Sequence, residues 1–169
     1  MPEIIYLLLG SNMGNRERNL EAALAEISSL EGLEVTATSA MYITEAREMK
    51  GENPSFLNQV IKGEYLYSAH ELLHSLEEIE GRLGRTDKVE MKPRTIDCDI
   101  LLFGDIVINS PTLAVPHPRL TQRPFALVPL LEIDPQAVHP VTKRHLSEYL
   151  SATDRAEVIL YKEHVARNI

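Results

Sequence analysis

"KPRTIDCDILLFG", residues 92–104, sets Asp97 and Asp99 inside a run of Ile96, Cys98, Ile100, Leu101, Leu102 and Phe103. This stretch decides the fold, because it reads as the last strand of the main element order. On a strand, successive side chains alternate between faces. Thr95, Asp97, Asp99 and Leu101 then share one face, and Ile96, Cys98, Ile100 and Leu102 share the face expected to pack under helices. The strand rise puts the two aspartate Cα atoms ~7 Å apart. Like charges so close repel, and partial burial adds to the cost. Such a pair is the solvated face of an edge strand, or one carboxyl is protonated, or a cation lies between them, and hard carboxylate oxygens beside phosphate suit Mg²⁺.

Upstream, "EIIYLLLGSN" (3–12) reads as a buried strand ending in a turn. Leu20, Ala23, Leu24 and Ile27 fall on one helical face, with Asn15 as the expected N-cap and Gly32 as the expected stop. "LEVTATSAMYI" (33–43) reads as one β-rich strand. Residues 44–55 form a polar loop, and "FLNQVIKGEYLY" (56–67) returns to strand character with Phe56, Val60 and Ile61 toward the core. "SAHELLHSLEEIEGRLG" (68–84) is the clearest helix. Ser68 and Glu71 make a capping box, and Ala69, Leu72, Leu73, Leu76, Ile79 and Leu83 make a buried stripe. After residue 104, "GDIVI" suggests a short paired strand, "VPHPRLTQRP" a proline-fixed loop, "FALVPLLEI" a short helix, and the tail a short helix and a final strand. The order is an α+β, ferredoxin-like βαββαβ pattern. It predicts a mainly antiparallel sheet with both long helices on one face and the other face left for loops and a site.

Bulk properties narrow the function. The 169 residues suit a single domain, 1–169, with a tail from about 141 of uncertain role. A net charge of -8 opposes nucleic-acid binding, which needs a basic footprint. No apolar stretch approaches the ~20 residues that span a bilayer, and the N-terminus lacks a basic leader. The single cysteine, Cys98, excludes an internal disulfide and fits a reducing cytoplasm; on the apolar phase it reads as a small buried hydrophobe. An anionic substrate therefore requires local convergence of cations. Arg94 directly precedes the aspartate strand, and His117, Arg119 and Arg123 follow it. Arginine donates in pairs to phosphate oxygens and stays charged. No Walker A or G-x-G-x-x-G pattern is present.

Taken together, "LLLGSNMGNRERNLEAAL", "SAMYITEA", "NPSFLNQV", "IEGRLGR", "PRTIDCDILLFGDIVI" and "VPHPRLTQRPFALVPL" resemble the 6-hydroxymethyl-7,8-dihydropterin pyrophosphokinase family of folate biosynthesis. The resemblance covers roughly residues 4–140. It implies transfer of the β,γ-diphosphate of ATP to the hydroxymethyl oxygen of the pterin, with release of AMP. It implies two Mg²⁺ ions on Asp97 and Asp99, and Arg85 and Arg94 as phosphate-contacting catalytic residues. It places Glu80, Arg94, Ile100, His117 and Arg123 at the ATP site, with Ile100 offering backbone groups to adenine. It places Thr44, Ala46, Phe56, Asn58 and Phe125 around the pterin, the phenylalanines by stacking and Asn58 by reading the ring edge. A monomer or weak homodimer acting on small molecules is expected.

The chain also departs from the family pattern. Ala46 stands where proline is usual, Met91 and Lys92 replace a Trp-Gly pair, Glu77 replaces a common glutamine, and the loop from Arg85 to Arg94 is one residue short. These loops normally close over substrate. Their changes motivate a second reading, a non-catalytic pterin- or nucleotide-binding module.

Overall fold

The computed structural model describes residues 1–44, 55–84 and 95–162. Strand β1 (Glu3–Ser11) is followed by helix α1 (Arg16–Ser28), strands β2 (Leu33–Thr38), β3 (Met41–Thr44) and β4 (Phe56–Tyr65), helix α2 (Ala69–Arg82) and strand β5 (Asp97–Phe103). A hairpin of β6 (Ile108–Asn109) and β7 (Ala114–Val115) leads through a cis Val115–Pro116 bond and a short 3-10 helix (Leu120–Gln122) to α3 (Pro124–Ile133). A second 3-10 turn (Leu146–Tyr149), α4 (Ala152–Glu157) and β8 (Ile159–Lys162) complete the described chain.

The main sheet has six strands in the order β5-β1-β4-β3-β8, with β2 also paired to β4, and every pairing is antiparallel. This is the expected βαββαβ arrangement, with the second strand split. The reading of 33–43 as one strand is corrected by a break at Ser39–Ala40. The Ser39 hydroxyl accepts Val60 N–H at 2.9 Å, and Ser39 N–H donates to Val60 O at 2.9 Å. The short polar side chain thus takes a backbone bond in place of the ladder, which lets the strand shift. Beyond the break, Ala40 N–H donates to the Glu132 carboxylate at 3.0 and 3.2 Å.

Helix boundaries follow local chemistry. Asn15 caps α1 by accepting Arg18 N–H at 3.1 Å. The Ser68–Glu71 capping box starts α2 as expected. Gly32 is not the end of α1, which stops at Ser28; it forms the later turn into β2 with φ +79. A Cβ there would lie 2.5 Å from the Tyr67 ring, so no other residue fits without displacement.

Two cores sandwich the sheet. The first gathers Ile5, Leu7, Leu9, Leu20, Ile27, Leu72, Leu76, Ile79, Ile96, Cys98 and Ile100 beneath α1 and α2. The second gathers Tyr6, Leu8, Val60, Leu101 and Leu102 with Leu120, Leu127, Leu130 and Leu146. The expectation of a second face holding only loops is therefore corrected. The apolar residues of 124–133 form a helix that lies on that face, and β1 is buried on both sides as a central strand must be. Tyr6 O–H donates to Asp134 and Tyr42 O–H to Glu132, tying the end of α3 to the sheet.

A bulge in β5 corrects one more face assignment. Leu7 pairs with Ile100 and Tyr6 with Leu102, so Leu101 is the extra residue. The phase flips there. Leu102 joins the second core and Phe103 the first, where Phe103 meets Tyr65 edge-on at 6.3 Å. Truncating Leu127 to alanine empties a fully buried position under α3. It is expected to cost about 2–5 kcal/mol in urea unfolding, with the far-ultraviolet spectrum retained.

Candidate functional site

β1 organises the site through its register. Gly10 pairs with Asn58 of β4 on one side and Asp97 of β5 on the other, and Tyr42 of β3 continues the row beside Asn58. One step along, Leu8 lies between Val60 and Asp99. In antiparallel strands, paired residues share a face, so Asn58, Gly10, Asp97 and Asp99 all point to the side of the second core. Strand spacing puts the Cα atoms of Asn58 and Asp97 about 10 Å apart across β1.

Gly10 leaves room at the centre of this row. A Cβ on Gly10 would stand 2.9 Å from Asn58 Oδ1 and 4.0 Å from Phe56 Cδ1. Phe56 and Asn58 therefore converge above a residue with no side chain. Asn58 is buried, and its Nδ2 donates to Thr44 Oγ1 at 3.3 Å. Thr44 itself pairs with Phe56. Three of the expected pterin-site residues, Thr44, Phe56 and Asn58, thus form one contiguous wall.

The other edge of the site carries cations. Arg123 is the N-cap residue of α3, and its Nη1 lies 3.8 Å from Asp99 Oδ2. Its guanidinium also sits 5.5 Å from the Phe125 ring centroid. Arg123 thereby links an expected metal ligand to an expected stacking ring. His117 N–H donates to Leu101 O at 2.9 Å, using a carbonyl of the bulge. His117 Nδ1 accepts Arg119 N–H at 3.1 Å, so the neutral ring carries its proton on Nε2. Burial, then Arg123 and Arg119, push the His117 pKa down to about 4.

Under the strand lies a carboxylate. Glu80 of α2 is buried at 5% exposure, and its Oε2 accepts the Cys98 N–H at 2.9 Å. The Cys98 thiol is pushed well above its usual range by burial, then by Glu80, Asp99 and Asp97. It is the buried hydrophobe expected, not a nucleophile. Ile100 packs its side chain into the first core, so only its backbone faces other groups. Arg85, Arg94 and Ala46 lie outside the described residues.

Among the described residues, no three His, Cys, Asp or Glu side chains gather to hold a metal. Asp97 and Asp99 are the pair expected to supply the donors, and their hard carboxylate oxygens are of the kind Mg²⁺ takes beside waters and phosphate oxygens, without an all-protein cage. No helix among those residues is long and apolar enough to cross a membrane.

Several supporting residues escaped the sequence reading. Ser11 Oγ donates to Thr95 O at 2.5 Å, and Arg16 Nη1 donates to Ser55 O at 2.7 Å. Asn12 is buried at 1% exposure, and neither atom of its amide has a partner among the described residues. The available signal was "GSN" at 10–12, which reads as a turn but also supplies these anchors.

Comparison with known proteins follows the same outline. A family model for 7,8-dihydro-6-hydroxymethylpterin-pyrophosphokinase (HPPK) matches residues 6–135. The 2-amino-4-hydroxy-6-hydroxymethyldihydropteridine pyrophosphokinase of Aquifex aeolicus is 38% identical over 145 residues, covering 86% of this chain and 89% of the relative. The Bacillus subtilis protein of the same name is 37% identical over 163 residues, covering 96% and 93%. Folic acid synthesis protein fol1 of Pneumocystis carinii is 40% identical over 87% of this chain, which spans only 20% of that longer protein. Among solved structures, a substituted Plasmodium falciparum HPPK-DHPS with SDX-DHP superposes with TM-score 0.71 at 17% identity, over 88% of this chain and 45% of that one. At that identity the likeness speaks for the fold.

The low His117 pKa has a measurable consequence. In the unfolded chain the ring titrates near its ordinary value, and in the fold only near 4, so between these the unfolded state binds more protons. His117 is therefore expected to lower stability as pH falls from about 6.5 toward 4. NMR titration of its ring protons should give a midpoint near 4, and a midpoint at the ordinary histidine value would contradict this burial.

Proposed function

Because the chain belongs to the 7,8-dihydro-6-hydroxymethylpterin-pyrophosphokinase family, we propose that it transfers diphosphate from ATP to the hydroxymethyl group of 6-hydroxymethyl-7,8-dihydropterin. The products are AMP and the pterin diphosphate. The observation that carries this reading is the single row across β4, β1 and β5. It sets an amide suited to a heterocycle edge and a carboxylate suited to a cation about 10 Å apart on one sheet face.

In the proposed reaction the hydroxymethyl oxygen attacks the β-phosphorus. The bond from that phosphorus to the oxygen bridging the α-phosphate breaks, and the hydroxyl proton passes to solvent. Asn58 holds the ring edge, Thr44 and the backbone near Ala46 complete the wall, and Phe56 and Phe125 stack on the ring. Asp97 and Asp99 would hold two Mg²⁺ ions, which would supply charge neutralisation to the phosphates during the transfer.

Protein cations complete the phosphate site. Arg123 partners Asp99, and triphosphate oxygens offer its guanidinium a further set of acceptors. Neutral His117 donates from Nε2. Arg85 and Arg94 contact the transferred phosphates, and Ile100 presents backbone groups to adenine. Glu80 serves the ATP site from beneath β5. Catalysis is then largely positioning and fixed electrostatics. The enzyme acts in the cytoplasm as a monomer or weak homodimer.

Purified protein with ATP, Mg²⁺ and the pterin should release AMP, measured by chromatography. Production of ADP instead, or no turnover, would remove the reading. Asp97→Ala and Asp99→Ala should each lower AMP release by at least about 100-fold with the fold intact. Gly10→Ala should crowd Asn58 and weaken pterin binding by about tenfold in calorimetry while the sheet persists.

A further inference from the structure

We infer that Glu80 is a positioning residue for the metal-holding strand, acting through the Cys98 N–H rather than by touching the nucleotide. The inference rests on the metal assignment proposed above, and deepens it.

β5 is an edge strand of the main sheet. Its partner β1 grips one side, through the pairs Gly10 with Asp97 and Leu8 with Asp99. Among the described residues no strand of the main sheet hydrogen-bonds to its opposite edge, and an edge of that kind leaves backbone groups to be satisfied by other means. The peptide unit joining Asp97 to Cys98 is one of the two that separate the metal carboxylates. Its N–H turns away from β1 and meets Glu80 Oε2 at 2.9 Å.

Glu80 suits this task. It sits in the last turn of α2, next to the buried Ile79, in a helix started by the Ser68–Glu71 capping box. At 5% exposure it is among the few buried charged side chains. Such a group persists only when its oxygens are engaged, and a carboxylate makes a stronger bond to N–H than a neutral carbonyl does. α2 packs on the first core, on the opposite side of the sheet from the aspartates. Glu80 thus reaches β5 from α2 and stands in for a paired strand at one of the two peptides whose tilt sets the spacing of the carboxylates. Groups that orient metal ligands in this indirect way govern affinity without touching the ion.

The test uses readouts independent of turnover. In ¹⁵N-labelled, metal-free protein, the Cys98 amide proton should resonate downfield and exchange at least about 100-fold more slowly than an open edge amide. Glu80→Gln keeps an acceptor and should retain that protection; Glu80→Leu should lose it. Mn²⁺ binding in the presence of a non-hydrolysable ATP analogue, read by water-proton relaxation, should weaken by about 10- to 100-fold in Glu80→Leu and by no more than about 3-fold in Glu80→Gln. Pterin affinity should stay within about 2-fold in both, since that wall stands on β3 and β4.

Three results would overturn the inference: an unprotected Cys98 amide in the wild type, a folded Glu80→Leu that binds Mn²⁺ normally, or equal loss of analogue affinity with and without Mn²⁺. The last would mark direct nucleotide contact. If Glu80→Leu does not fold, Glu80→Gln decides: weakened Mn²⁺ binding with the Cys98 amide still protected would assign the effect to charge and refute positioning. Absent AMP release by the wild type would defeat the proposed reaction alone, leaving the amide and Mn²⁺ measurements to judge Glu80.

Discussion

The register of β1 between β4 and β5 is the constraint on which everything else depends. Side chains on a strand alternate with period two, so a slip of one residue would turn Asn58, Asp97 and Asp99 into the helix-covered core. That slip is forbidden by bulk: Ile5, Leu7 and Leu9 fill the space beneath α1 and α2, while Tyr6 and Leu8 fill the space beneath α3. Both faces of β1 are claimed, so its register is specified twice. Gly10 is the exception at the strand's end, and it is where the second core stops and the site begins. The core thus aims the chemistry: the same alternation that buries the leucines lifts the polar row clear of them.

Electrostatics then decides what that row can hold. A chain with a net charge of -8 repels a triphosphate at long range, so attraction has to be local. The described part of the site meets this need with few groups. Arg123 stands against Asp99 and over Phe125, joining the polyanion end to the aromatic end. His117 contributes no charge, because the burial and neighbouring guanidinium groups that lower its pKa keep it neutral. It is suited to donate one directed hydrogen bond, which does not compete with arginine for the role of counter-charge. On the proposed reading a divalent cation would reconcile the two aspartates with a phosphate beside them.

The sequence was most legible where a local rule and the packing agreed. The Ser68–Glu71 box, the Asn15 cap, the apolar stripe of α2 and the alternation around Asp97 and Asp99 each state their structure within a few residues. The antiparallel order followed from those elements. What could not be read was of another kind. The Leu101 bulge is one extra residue whose cause is the need to reach two cores, and no neighbour in sequence announces it. The break at Ser39 depends on Val60, and the burial of the second face depends on α3, nearly thirty positions beyond Asp97. Among the candidate site residues, the reading of the sequence itself singled out Asp97, Asp99, His117 and Arg123, while Phe56 and Asn58 came from the family resemblance. Ser11 was legible only as part of the turn at 10–12, and Arg16 was missed, because both act on backbone carbonyls.

An edge strand is a hazardous place for the proposed metal site, and its position explains the neighbours gathered there. Edge strands fray and invite pairing with other chains, so proteins cover or interrupt them. Here the interruptions coincide with function. The bulge carbonyl of Leu101 accepts His117 N–H, which fastens the proline-flanked loop, the proposed phosphate contact, to β5. Three residues earlier, the Cys98 N–H is taken by Glu80. Thr95 O, just before the strand, is taken by Ser11. An open edge leaves backbone groups available that an interior strand would spend on its neighbours. Those spare groups let loops and a helix side chain dock directly onto the strand that carries the aspartates. Had Asp97 and Asp99 been placed on β1 or β4, strands on both sides would have consumed those bonds, and the loop carrying His117 would have had no backbone to anchor against.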